Sequence, residues 1–80
     1  MSWRLCWSPP AIASLEKLPW RHAARIDRAL QELVRTGQGD VFRLRSDDPI
    51  TARLRVAPYV VRFSSDPRDR VVWVWFMYSA

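Results

Sequence analysis

The periodicity of the apolar residues changes at Gly39, and this change constrains the fold more than any other feature of the sequence. Before Gly39, apolar residues recur at helical spacing in two segments, 11–18 and 20–36, which Pro19 separates. Ile12 and Leu15 of the first segment are expected to point inward. The second segment is expected to turn one stripe inward: Ala23, Ala24, Asp27, Leu30, Leu33 and Val34. Gly37 and Gly39 are typical of a helix end and the loop that follows it. After Gly39, apolar and polar residues alternate, which is the pattern of β-strands. The sequence therefore predicts a helical hairpin followed by a sheet.

Short alternating segments predict the order of the strands. An opening strand is expected over 2–7, before the helices. Four more are expected after Gly39, with turns between them at 46–49, 57–58 and 66–69: 41–45, 52–56, 59–64 and 71–78. Short links between successive strands imply antiparallel pairing. The predicted fold class is α+β: a single domain over residues 1–80, with an N-terminal strand, a helical hairpin and a four-stranded antiparallel meander, the helices packed on one face of the sheet.

Charge and cysteine content narrow the class of protein. The 80 residues carry a formal net charge of +5 at pH 7, and Lys17 is the one lysine among the 13 basic residues. Arginine suits bidentate contacts with phosphate or carboxylate, which indicates nucleic acid or an acidic protein as partner; a solvated basic surface explains the charge equally well. The single cysteine, Cys6, allows no internal disulfide. No signal peptide or membrane-spanning run is recognisable, so we expect a cytoplasmic protein with no membrane partner.

Arginines are predicted to gather on one face of the sheet. Successive side chains of a strand point to opposite faces, so parity decides which residues lie together. If apolar residues such as Phe42, Leu44 and Leu54 face the helices, the opposite face carries Arg43, Arg45, Arg53, Arg55 and Arg62. Like charges on neighbouring strands repel one another. Either water screens these charges or the face binds an anion, and the second explanation is our hypothesis.

The last predicted strand has apolar residues at both parities. One set is Val72, Val74, Phe76 and Tyr78, and the other is Val71, Trp73, Trp75 and Met77. Burial on both sides explains this pattern, as does a central strand whose Trp73 and Trp75 lie beside the arginines. Such tryptophans can stack on bases or receive an apolar segment of a partner protein. We favour the partner protein.

The sequence offers little conventional catalytic chemistry. Its one histidine, His22, falls in the second helical segment, away from the predicted arginine face. No nucleophile–histidine pair, metal-ligand cluster, phosphate-loop motif or cofactor site is recognisable, so we expect neither metal nor cofactor. If the protein cleaves RNA, its arginines must stabilise the transition-state charge while the 2′-hydroxyl acts as the internal nucleophile. The candidate proton carriers are Tyr59, Tyr78 or an arginine acting by its position.

The sequence resembles the RelE/ParE superfamily of toxins from bacterial type II toxin–antitoxin systems. The segment WSPPAIASLEKLP resembles the end of the family's first strand and its S-x-x-A-x-x-x-L-x-x-L helix. ARIDRALQELVRTGQGDVFRL resembles the second helix and glycine turn, and ARLRVAPYVVRFSSDPRDRVVWVWF resembles the R-L-R-V-G-x-Y-R-V-x-Y strand pair and the final strand. Val60 stands where the family usually has an arginine, and Arg62 on the same face can substitute for it. The family's C-terminal basic and tyrosine-containing segment has no counterpart before Ala80.

The resemblance implies a growth-inhibiting toxin that an acidic or amphipathic antitoxin wraps and neutralises, and that binds operator DNA only as a complex with that antitoxin. The leading hypothesis is an mRNA interferase, an endoribonuclease that cleaves mRNA on the ribosome. We assign catalysis to Arg53, Arg55 and Arg62, RNA binding to Arg43 and Arg45, and partner binding to Trp73 and Trp75. Alternatives are ParE-like inhibition of DNA gyrase and a catalytically degenerate domain that binds antitoxin and DNA.

Overall fold

The computed structural model describes residues 3–43 and 52–79, and within these ranges the chain forms two helices and five strands. In chain order they are β1 (Arg4–Trp7), α1 (Pro9–Glu16), α2 (Trp20–Thr36), β2 (Val41–Arg43), β3 (Ala52–Val56), β4 (Tyr59–Asp66) and β5 (Val71–Ser79). The predicted α+β fold, a helical hairpin on one face of an antiparallel meander, is confirmed. Residues 44 and 45 of the expected second strand and the turn expected at 46–49 lie outside the described residues.

The strands form one sheet in the order β1-β5-β4-β3-β2. β2, β3, β4 and β5 pair antiparallel, as the short links predict. β1 lies parallel to β5, with Leu5 opposite Val72 and Trp7 opposite Val74. The sequence did not predict this pairing, which joins the two ends of the described chain and makes β5 a central strand.

Ser8 fixes the start of α1 and ties the helix to the sheet. Its hydroxyl oxygen accepts a hydrogen bond from the backbone N–H of Ala11 (3.3 Å) and donates one to the carbonyl of Trp75 (2.6 Å). Pro9 and Pro10 occupy the first turn, where a helix does not need their missing N–H groups. A serine cap stabilises a helix by about 1 kcal/mol, and this one also positions the helix against β5.

α2 is rotated relative to the predicted amphipathic stripe. Ile26 and Leu30 are fully buried, whereas Ala24 and Asp27, which were expected to face inward, are exposed. The long side chain of Ile26 fills the core better than alanine does, and this decides the rotation of the helix. The helix ends at Gly37, whose φ of 77° lies in the left-handed region that glycine adopts without strain.

The core lies between the helices and one face of the sheet. We call this the helix-covered face, and the other the open face. The buried residues that define the core are Ala11, Ile26, Leu30, Ala52, Leu54, Val56, Val61, Phe63, Val72, Val74 and Met77. Ile12, predicted to point inward from α1, is 44% exposed, and Ala11 takes its place. Because the core side chains come from β3, β4 and β5, their neighbours of opposite parity must lie on the open face.

Candidate nucleic-acid interface

Arg53, Arg55 and Arg62 lie together on the open face, as strand parity predicts. Arg53 pairs directly with Arg62 across β3 and β4, and Arg55 pairs with Val60. Their neighbours in the strands, such as Leu54, are buried on the helix-covered face. Arg53 and Arg62 are half-buried and Arg55 is exposed. The open face therefore carries three guanidinium groups on two adjacent strands.

The direct opposition of Arg53 and Arg62 is electrostatically unfavourable. Opposed Cα atoms in an antiparallel sheet lie about 4.5–5.5 Å apart. Two unit charges held at that same separation of about 5 Å would repel by roughly 1 kcal/mol in bulk water and by roughly 3 kcal/mol at an effective dielectric constant of about 20. Side chains that lean apart reduce this repulsion, and an anion between them reverses it. Two arginines opposed in this register can bind one negatively charged group between them.

Arg43 does not lie with these arginines, and its predicted placement was wrong. In β2, Arg43 pairs with Ala52 and Val41 with Leu54, both of which are buried on the helix-covered face. Arg43 lines a cavity of about 350 Å³ beside the C-terminal end of α2, together with Leu33, Val34 and Phe63 among others. A long arginine can cover such apolar side chains while its charged end reaches solvent. Arg45, the other predicted RNA-binding residue, lies outside the described residues.

The position of β2 follows from a close contact at Gly39. A Cβ atom at Gly39 would come within 2.9 Å of the Leu54 side chain, so this position accepts little more than glycine. Gly39 thus packs on Leu54 just before β2 begins, where Val41 pairs with Leu54 and Phe42 lies on the open face, opposite Arg53. Parity alone could not show this, because the short strand has an apolar residue at each parity.

A β-bulge in β5 changes which of its aromatic side chains reach the open face. Arg62 pairs with Phe76 while the next residue of β4, Phe63, pairs with Val74, so Trp75 is the extra residue. Beyond the bulge the alternation is inverted: Met77 is buried in the core, and Phe76 and Tyr78 lie on the open face. Strict alternation predicted the reverse for these residues, and that prediction was wrong.

Trp73 and Trp75 lie beside the arginines. Trp73 pairs with Ser64, which has the same parity as Arg62, and is 40% exposed. The indole N–H of Trp75 donates a 2.8 Å hydrogen bond to the hydroxyl of Ser64, and the two indoles stack with ring centroids 6.1 Å apart. The tryptophans therefore form an ordered aromatic surface next to the arginines.

Two phenylalanines to which the sequence analysis gave no part in the site contact the arginines. The guanidinium carbon of Arg53 lies 4.7 Å from the centroid of the Phe42 ring, and that of Arg62 lies 5.7 Å from the centroid of Phe76. Phe42 is 57% exposed and Phe76 is 38% exposed, so neither ring is part of the core. Each exposed contact of this kind contributes roughly 0.5–1 kcal/mol. Phe42 could have been recognised because it stands next to an arginine in a predicted strand, but it was predicted to face the helices and in fact lies on the open face.

The histidine lies on the other side of the sheet, as predicted. His22 Nδ1 and the hydroxyl of Tyr59 share a hydrogen bond of 2.7 Å. Arg25, one turn further along α2, donates to the carbonyl of Ala57 (2.9 Å). These contacts hold the β3–β4 turn against α2. Of the two tyrosines that are candidate proton carriers, Tyr78 is thus on the open face with the arginines, and Tyr59 is not.

The part of the chain that the structure describes was also searched for metal sites and for membrane-spanning helices. Over residues 3–43 and 52–79, no group of three or more histidine, cysteine, aspartate or glutamate residues is placed to hold a metal ion. In the same ranges, neither helix is long and apolar enough to cross a membrane.

No protein-family model matches the sequence, and no curated protein matches it significantly. Solved structures do match. A chain of the toxin–antitoxin complex RelBE2 from Mycobacterium tuberculosis has a TM-score of 0.83 at 21% identity, covering 100% of both chains. A chain of the archaeal RelE–RelB complex from Pyrococcus horikoshii OT3 has the same TM-score and identity, over 99% of this chain and 96% of that one. The chain has a RelE-like fold. A chain of the intact Escherichia coli RelBE complex agrees, with a TM-score of 0.67 at 18% identity.

The RelE-like fold accounts for the sequence resemblance element by element. The quoted helical segments form α1 and α2, and the quoted strand segments form β3, β4 and β5. The RelE-like sheet brings Arg53, Arg55 and Arg62 together, adds Phe42 and Phe76, and separates Arg43 from them. The candidate interface is therefore the open face of β2, β3, β4 and β5.

Proposed function

We propose that this chain is the toxin of a type II toxin–antitoxin pair and that it inhibits translation by cutting mRNA on the ribosome. The observation that carries the proposal is the opposed pair Arg53 and Arg62, with Arg55 beside it, on the open face of a RelE-like fold. Guanidinium groups bind phosphate oxygens and stabilise the extra negative charge of a phosphorane-like transition state. The RNA 2′-hydroxyl attacks the adjacent phosphorus, the bond from phosphorus to the 5′-oxygen breaks, and the proton lost by the 2′-hydroxyl is balanced by one delivered to the leaving 5′-oxygen; the proposed step draws only on groups of the RNA and the protein.

In this proposal the arginines are the catalytic residues and the tryptophans belong to the partner surface. Arg53 and Arg62 hold the scissile phosphate. Arg55, which follows Arg53 on the same face of β3, contributes to RNA binding and charge stabilisation. Tyr78 is the candidate proton carrier, because it alone of the two tyrosines considered lies on this face. Arg45 remains a proposed RNA-binding residue. Arg43 is not included, because it lies on the helix-covered face.

The proposed protein partner is a cognate antitoxin that covers Trp73 and Trp75. Trp73 is 40% exposed and stacks on Trp75, which gives a rigid apolar surface of the kind that anchors interfaces. The similar structures from Mycobacterium tuberculosis and Escherichia coli are both of toxin–antitoxin complexes. The net charge of +5 favours an acidic antitoxin. Operator DNA is proposed to be bound only by the toxin–antitoxin complex.

Induction of the free protein in a bacterium tests the proposed target. Incorporation of labelled methionine and labelled thymidine is followed after induction, and we expect protein synthesis to stop first. Arg53→Ala and Arg62→Ala should restore growth, whereas Arg28→Ala, which removes an exposed arginine of α2, should remain toxic. Arrest of DNA synthesis first would instead indicate a ParE-like gyrase inhibitor. No growth defect with a folded protein would indicate the degenerate antitoxin- and DNA-binding domain.

A further inference from the structure

A single line of side chains crosses four strands on the open face. Phe42 pairs with Arg53, Arg53 with Arg62, and Arg62 with Phe76. We call these four residues the transverse row. Neighbouring strands are about 4.8 Å apart, so the two phenylalanines lie roughly 14 Å from each other with both arginines between them.

Each arginine of the transverse row contacts the phenylalanine on its outer side. The guanidinium carbon of Arg53 lies 4.7 Å from the ring centroid of Phe42, on the strand away from β4, and that of Arg62 lies 5.7 Å from the centroid of Phe76, on the strand away from β3. Attraction to its ring therefore acts on each guanidinium in the direction away from the other arginine, which also relieves their repulsion. A guanidinium that covers a ring keeps N–H donors at its edge, and these can still reach an acceptor on the inner side.

A phosphate fits this arrangement better than a carboxylate does. One arginine can satisfy both oxygens of a carboxylate with two parallel hydrogen bonds. A phosphodiester has two non-bridging oxygens that point in different directions, one for each arginine. Two guanidinium groups held apart on neighbouring strands therefore favour a phosphate that bridges them.

We infer that Phe42 and Phe76 are positioning residues for a phosphate-binding site. They hold Arg53 and Arg62 apart so that the two guanidinium groups bind one phosphate of single-stranded RNA between them. This inference rests on the proposed function, which it deepens by naming the residues that shape the phosphate site. The rings act through the arginines and do not themselves contact the phosphate. Both rings are exposed, so their replacement changes the site without removing a core side chain.

The test is a titration of the purified full chain, labelled with ¹⁵N in its arginine side chains, followed by NMR. The probes are inorganic phosphate and a 2′-O-methyl uridine trinucleotide, which cannot be cleaved by its own 2′-hydroxyl. We expect the Nε–H signals of Arg53 and Arg62 to shift together with one binding constant. Phe42→Leu and Phe76→Leu should each weaken binding about twofold to fivefold, the range for losing one exposed contact between a cation and a ring. Phe42→Tyr and Phe76→Tyr should restore it.

Trp20→Leu is the matched control, because Trp20 also lies against an arginine, Arg21 (5.5 Å), but in α2. It should leave phosphate binding unchanged. Independent binding constants for Arg53 and Arg62, or leucine variants that bind phosphate as the original protein does, would overturn the inference. So would binding of an acidic peptide with no response to phosphate or trinucleotide. If phosphate binds as expected but the protein cuts no mRNA, the proposed function is wrong and the inferred phosphate-binding site is still supported.

Discussion

Arg53 and Arg43 show how the face that an arginine occupies decides its expected role. Both belong to strands with alternating arginines, but Arg53 lies on the open face and Arg43 on the helix-covered face. We expect Arg53→Ala to weaken binding of a 2′-O-methyl oligonucleotide about tenfold, the effect of losing one hydrogen bond to a charged group. Arg43→Ala should change it less than twofold. Fluorescence anisotropy with a labelled oligonucleotide measures both, and equal losses would contradict the assigned register of β2.

For single residues, the sequence predicted the face of the arginines correctly in the longer strands β3 and β4 but not in the short strand β2. In β3 and β4 the apolar residues of one parity are clear, and Arg53, Arg55 and Arg62 were placed correctly. In β2 the choice depended on whether Val41 or Phe42 faces the core. The structure has Val41 opposite Leu54, with Gly39 close to the same leucine, and contacts between residues so distant in the sequence have no local signature.

The β-bulge of β5 is the element on which the aromatic side of the interface depends. It places Met77 in the core and Phe76 on the open face, the reverse of strict alternation. We expect Met77→Ala to lower the free energy of unfolding by about 2–4 kcal/mol and Phe76→Ala by about 1 kcal/mol. Urea unfolding of the two variants measures the difference. A larger loss for Phe76→Ala would show that the strand has no bulge at Trp75.

Element boundaries and order were largely predictable, and the bulge was not. Prolines, glycines and aspartates mark the ends of most elements, and α2 spans the predicted residues 20–36. The last strand is apolar at nearly every position, so no polar residue reveals where its alternation is inverted. The parallel pairing of β1 with β5 was also missed, because parity shows which face a residue occupies but not which strand lies beside it.

For the whole molecule, the proposed RNA binding is tested by its salt dependence, which reports how many phosphates the protein contacts. Each phosphate neutralised on a single strand contributes about −0.7 to the slope of log K against log salt concentration. If Arg53 and Arg62 share one phosphate, removing both should change the slope by about 0.7, and removing either one alone should change it by less, because the other still contacts that phosphate. A change of about 1.4 for the double variant Arg53→Ala/Arg62→Ala would mean that the two arginines bind separate phosphates.

The most direct test of the central claim is to map cuts in mRNA on purified ribosomes programmed with a defined message and an empty A site. Primer extension after addition of the full chain locates every new 5′-hydroxyl end. We expect cuts with the original protein and with Arg28→Ala, and a loss of cutting of about a hundredfold or more with Arg53→Ala or Arg62→Ala, the usual cost of removing one group that stabilises the transition-state charge. Uncut mRNA with the folded original protein, or undiminished cutting by the Arg53 and Arg62 variants, would contradict it.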